Sequence, residues 1–85
     1  MKYLDENEVI KQFAERVKSL RNEKGLSQSA LGGRAELEKS LIQRVERGSN
    51  LTLKTLIALC NGFDISLSEL LDISTKKEEK KDVAE

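Results

Sequence analysis

Residues 26–48 read LSQSALGGRAELEKSLIQRVERG, and two short helices with a corner between them are written into that run. Ser27 is a good N-cap, so Gln28-Ser29-Ala30-Leu31 opens a helix expected to stop near Arg34 or Ala35. A second helix is expected from about Glu38 to Arg47, with Gly48 ending it. Stepping about 100° per residue from Lys39 places Gln43, Ser40, Arg47 and Arg44 within roughly 140° of arc. Leu41, Ile42 and Val45 fall on the other side. One face packs, and the other presents hydrogen-bond donors, some of them also acceptors. Arg or Lys can address guanine O6/N7, Gln can pair with adenine N6/N7, and Ser can serve either. Any exposed helix face is polar, however, so the face alone does not establish nucleic-acid contact.

The same periodicity extends in both directions. Upstream, Ile10, Phe13, Val17 and Leu20 repeat at helical spacing, and Gly25 suits a helix C-terminus, which predicts a helix over about 7–24. Downstream, Thr52 caps a helix with apolar positions Leu53, Leu56, Ile57, Cys60 and Phe63, and Ser66 caps a short one through Leu70 and Leu71. Strand-like alternation is missing and the chain has no proline. The expected fold is all-α: five short helices in one compact domain over 9–73. Residues 1–8 are read as an N-terminal extension and 74–85 as a charged, flexible tail, since one large apolar residue in twelve cannot offset the entropy of ordering them.

Composition excludes several classes of function. With no histidine and one cysteine, Cys60, no zinc site and no Cys/His or Ser/His catalytic pair can be assembled in one chain. Gly32-Gly33 lacks the surroundings of a phosphate loop. An enzyme is therefore not expected, nor a cofactor, a metal or a small-molecule ligand. No apolar run approaches the ~18 residues of a membrane span, and Met1 to Glu8 is polar and acidic where a signal peptide would be apolar. A cytoplasmic protein, bacterial or phage-encoded, is the expectation. Net charge is zero, but nine basic residues face four acidic ones between Arg16 and Lys54, leaving +5 there and −5 elsewhere. Screening makes the field local, so a centrally basic domain can still meet phosphates on one face.

Ser27 and Gln28 place a helix N-terminus, with its free N–H groups and positive dipole end, where a phosphate could bind. Ser27 as a plain cap and Gln28 as a solvated residue is the simpler account of these two alone.

The run from Leu26 to Gly48, with Val17-Lys18-Ser19-Leu20-Arg21 before it and Leu53-Lys54-Thr55-Leu56 and Phe63 to Leu71 after it, resembles the lambda-repressor/Cro-like (XRE-type) helix-turn-helix family over about residues 13–71. The resemblance implies that Lys39, Ser40, Gln43 and Arg44 read base edges. It assigns Ser27, Gln28, Arg47, Ser49 and Asn50 to phosphates, with Gln28 also bracing the recognition helix. It pairs Arg21 with Glu46 as a structural tie between the first and third helices. Three positions depart from the family pattern. Glu36 stands where glycine is usual, so the turn strains or changes shape; Gly32 replaces alanine; Glu38 replaces a Ser/Thr cap and either caps or reads a cytosine N4.

The implied function is a sequence-specific double-stranded DNA-binding transcriptional regulator, its recognition helix in the major groove, acting as a homodimer on an inverted repeat. Ile65, Leu67, Leu70 and Leu71 are the expected dimer surface. Phage-type repressor, restriction–modification controller and antitoxin remain open as contexts. The alternative is a protein-interaction module on the same fold, antitoxin-like partner binding included, with weak or no DNA binding. Zero net charge and Glu38 favour that alternative, and the donor-rich face opposes it.

Overall fold

A computed structural model describes residues 3–49 and 51–73. The expectations for Asn50 and for the 74–85 tail therefore lie outside the described residues. Five helices follow one another: α1 (Glu6–Glu23), α2 (Gln28–Ala35), α3 (Lys39–Glu46), α4 (Leu53–Phe63) and α5 (Leu67–Leu70). No strand occurs among the described residues.

Four of the five helices start where a side chain accepts from their first free amides. Asp5 accepts from the Asn7 and Glu8 N–H groups at 2.9 and 3.2 Å, so α1 begins inside the segment read as an extension. Ser27 accepts from Ala30 N–H at 3.0 Å and Thr52 from Thr55 N–H at 3.2 Å. Ser66 and Glu69 form a reciprocal capping box at α5. Glu38 occupies the N-cap position of α3 but makes no side-chain cap hydrogen bond there. Capping by its carboxylate is therefore not what sets that helix; the apolar side of α3 is.

The ends of the first four helices are set by left-handed residues. Gly25 (φ 68°) closes α1 and Gly48 (φ 93°) follows α3. Glu36 closes α2 at φ 58°, ψ 41°, so the corner keeps its left-handed shape and strains a residue with a Cβ. Asp64 does the same after α4 at φ 61°.

Phe63, Leu31, Ile42, Leu59, Leu70, Val17 and Val45 are fully buried and draw on all five helices. α4 presents Leu59, Cys60 and Phe63 to this core, with Leu56 partly buried beside them. Leu53 and Ile57, expected on the packed face, are 62% and 50% exposed. Ile57 lies roughly 110° round the helix from the centre of the buried stripe, and Leu53 sits on the first turn, beyond the core's edge. Leu70 also corrects an expectation. It is fully buried within the monomer and unavailable to a dimer surface, whereas Leu67 and Leu71 are 40% and 41% exposed. Ile65 and Ile73 pack partly against the core.

Two close approaches hold α2 in place. A Cβ on Gly32 would lie 2.6 Å from the Leu37 carbonyl oxygen, so the corner folds directly over that glycine. A Cβ on Gly62 would lie 2.8 Å from the Ala35 Cβ, and Arg34 Nε donates to the Gly62 carbonyl at 2.8 Å, locking α2 against α4. Arg16 Nη2 donates to the Glu69 carbonyl at 2.6 Å, which ties α1 to α5.

Candidate nucleic-acid interface

α3 buries Ile42 and Val45 and half-buries Leu41, so its opposite face is turned to solvent. Lys39, Ser40, Arg44 and Arg47 are exposed and Gln43 is half-buried at the edge of that face. Among the described residues no side-chain hydrogen bond restrains Lys39, Ser40, Arg44 or Arg47, which leaves their donors available to a ligand.

The back of the helix is held by ionic contacts. Arg21 Nε donates to Glu46 Oε2 at 2.6 Å and Arg21 Nη2 to Oε1 at 3.2 Å, a bidentate pair whose side chains are 13% and 4% exposed. Arg21 Nη1 also donates to the Leu26 carbonyl at 2.8 Å. One guanidinium thus ties α1, the start of the α2 segment and the end of α3 together. Gln28 joins the same cluster, donating from Nε2 to Glu46 Oε1 at 3.1 Å, while Gln43 Nε2 donates to Gln28 Oε1 at 3.5 Å. Gln28 thus contacts α3 at two side chains, Glu46 and Gln43.

Lys18, Arg21, Gln28, Gln43, Glu46 and Arg47 line one shallow depression between α1, α2 and α3. Lys18 lines this depression although the sequence reading assigns it no role. Its position three residues before Arg21, on the same side of α1, was the available signal. Ser27 spends its side-chain oxygen on its own helix and keeps the end of α2 in place beside Gln28. Ser49 is half-buried after α3 and donates its N–H to the Arg44 carbonyl at 3.0 Å. Glu36 and Glu38 are exposed at the α2–α3 corner.

No three His, Cys, Asp or Glu side chains among the described residues form a group able to hold a metal. No helix among them is long and apolar enough to cross a membrane. Cys60 is buried, and desolvation pushes its thiol pKa above the ordinary value, which makes it core rather than a reactive centre.

A family model described as Helix-turn-helix (HTH_3) matches residues 17–70, more than half of the chain and the whole of α2 and α3. The chain belongs to this family. It is a DNA-binding transcriptional regulator of the Cro/C1 (XRE) type, and this helix-turn-helix regulator shares its architecture with several solved structures. The restriction–modification controller protein C.AhdI from Aeromonas hydrophila is 37% identical, with a TM-score of 0.69, over 72% of this chain and 94% of that one. The wild-type restriction–modification controller protein C.Esp1396I is 30% identical, with a TM-score of 0.67, over 74% and 87%. An HTH_3 family transcriptional regulator from Vibrio cholerae is 30% identical, with a TM-score of 0.74, over 78% of this chain and 38% of that one. No curated protein sequence matches the regulator.

Proposed function

We propose that the regulator binds a specific double-stranded DNA sequence with α3 in the major groove, as a homodimer on an inverted repeat. The observation that carries this reading is the unrestrained donor face of α3, braced from behind by the nearly buried Arg21–Glu46 pair. Lys39, Ser40, Gln43 and Arg44 read base edges; Ser27, Gln28, Arg47, Ser49 and Asn50 hold phosphates, and Lys18, which lines one depression with Gln28 and Arg47, is proposed to join them. One such module covers only a few base pairs, and pairing supplies the remaining affinity. The exposed Leu67 and Leu71, with Ile65 beside them, supply the twofold contact. Likeness to two controller proteins over most of their length favours a restriction–modification controller over a phage repressor or an antitoxin.

Selection of bound duplexes from a random library by the purified protein tests this directly. An inverted repeat with half-sites about one helical turn apart is expected. A pool with no enriched sequence, and binding that vanishes at moderate salt, would leave only phosphate contact and turn the assignment towards a protein-interaction module.

A further inference from the structure

Four side chains form an unbroken line from the core to the reading face: Arg21, Glu46, Gln28 and Gln43. The chemistry of its inner end dictates the direction of every hydrogen bond in it. Arg21 carries only donors and ionised Glu46 only acceptors. Gln28 must therefore turn Nε2 towards Glu46 Oε1, at 3.1 Å, which leaves its Oε1 facing outward. Gln43 then meets an acceptor, and turns its own Nε2 inward at 3.5 Å. An amide whose nitrogen is spoken for on one side exposes its oxygen on the other.

We propose that this relay fixes the amide of Gln43 and thereby its base preference: Gln43 presents Oε1 to a base that carries an exocyclic amine. Adenine fits best, because the second N–H of Gln43 Nε2 remains for N7 while Oε1 accepts from N6. Glu46 and Gln28 are positioning residues for that choice, and neither needs to touch the base. The inference rests on the proposed base-reading role of Gln43.

Reversing the inner acceptor reverses the line. In Glu46→Gln, the carbonyl oxygen keeps the shorter contact with Arg21 Nε, the amide nitrogen takes the Oε1 position at the loss of the 3.2 Å bond from Arg21 Nη2 and faces Gln28, Gln28 flips, and Gln43 flips in turn to present Nε2. The variant's preference then moves to a base carbonyl. Gln28→Leu breaks the line and frees the Gln43 amide to rotate.

The test uses the full protein on its selected duplex. The base pair read by Gln43 is the one at which Gln43→Ala loses preference. At that pair, duplexes lacking the exocyclic amine or the carbonyl oxygen of the contacted bases are compared by affinity, each relative to Gln43→Ala so that weakened base pairing cancels. For the unsubstituted protein, amine removal should weaken binding about tenfold and carbonyl removal less than twofold, the discrimination one base-edge pairing carries. Glu46→Gln should invert that order, and Gln28→Leu should bring the two losses within twofold of each other. Gln28→Leu leaves the Arg21–Glu46 pair intact, so it decides the matter even where Glu46→Gln fails to fold. An unchanged amine dependence in a folded Glu46→Gln or Gln28→Leu overturns the relay while leaving DNA reading in place. A Gln43→Ala protein with unaltered preference at every position overturns it through its premise.

Discussion

Arg44 and Glu46 sit two residues apart on α3 and do different work. The Arg44 side chain is exposed and unrestrained, so its truncation removes a donor from the reading face and nothing from the core. Arg44→Ala should cost about 1–3 kcal/mol on the protein's own site and relax preference at one base position, with thermal unfolding unchanged. Glu46 accepts three hydrogen bonds behind the helix, and its loss leaves the Arg21 guanidinium without its counter-charge at 13% exposure. Glu46→Ala should lower stability by about 1–3 kcal/mol and weaken DNA binding indirectly, through the tilt of α3 and the loss of the acceptor that orients Gln28 and Gln43. A drop in melting temperature for Arg44→Ala with binding intact would reverse the two faces. Glu36 offers a third single-residue test. It holds φ 58° with a Cβ in place and forms no side-chain hydrogen bond among the described residues. Glu36→Gly should relieve about 1 kcal/mol of strain and raise the urea midpoint without altering its slope.

Helix ends and crossings show why neighbouring glycines in α2 are not equivalent. At Gly33 an added Cβ meets nothing within 4 Å, so Gly33→Ala should stabilise the domain by about 0.5–1 kcal/mol through helix propensity. At Gly32 the same Cβ would stand 2.6 Å from the Leu37 carbonyl oxygen, and backbone must shift to admit it. Gly32→Ala should therefore destabilise, although the family pattern favours alanine there; equal and positive shifts for both variants in urea titration would contradict the close approach. The α5 capping box has a pH signature. The Ser66 backbone N–H and then its hydroxyl hold the Glu69 carboxyl below its ordinary pKa. A depressed folded pKa adds stability that is present above the ordinary carboxylate range and is lost as pH falls through the folded value. The stability gap between the unsubstituted protein and Glu69→Gln should accordingly be constant near neutrality and narrow in acid as pH falls below the ordinary carboxylate value and through the lowered folded one; a gap with no acid dependence would mean that the carboxylate is not what caps α5. Local chemistry of this kind was legible in the amino-acid order: Ser27, Thr52 and Ser66 each cap the helix they announce, and the packed side of α3 is the one its spacing indicates. What could not be read were contacts between residues far apart in the chain. Leu59 replaces Leu53 and Ile57 in the core because the position of α2 and α5, not the period of α4, decides which side of α4 is covered. The bonds from Gln28 to Glu46, from Arg34 to the Gly62 carbonyl and from Arg16 to the Glu69 carbonyl likewise depend on how the helices cross.

Taken whole, the domain divides its apolar side chains between an interior that all five helices share and a small set left in water, and α5 contributes to both. Leu70 is fully enclosed while its neighbour Leu71 is 41% exposed, so adjacent leucines answer different questions. Leu70→Ala opens a cavity in a core with no side to collapse from, and should cost about 2–5 kcal/mol in denaturant unfolding whatever the oligomeric state. Leu71→Glu places a charge where the proposed twofold contact lies and takes little from the monomer's interior. Its stability at low protein concentration should stay close to that of the unsubstituted protein. In sedimentation it should run as a monomer at concentrations where the unsubstituted protein is dimeric, and its affinity for a full inverted repeat should fall towards that for a single half-site, because linked binding to two half-sites supplies an effective concentration that a monomer lacks. A Leu71→Glu protein that still sediments as a dimer would move the twofold contact elsewhere, with exposed Leu53 and Ile57 on α4 as the next surface to substitute. Such a move would leave the donor face of α3 untouched, since the proposed base contacts and the proposed pairing contacts lie on different helices of the same small fold.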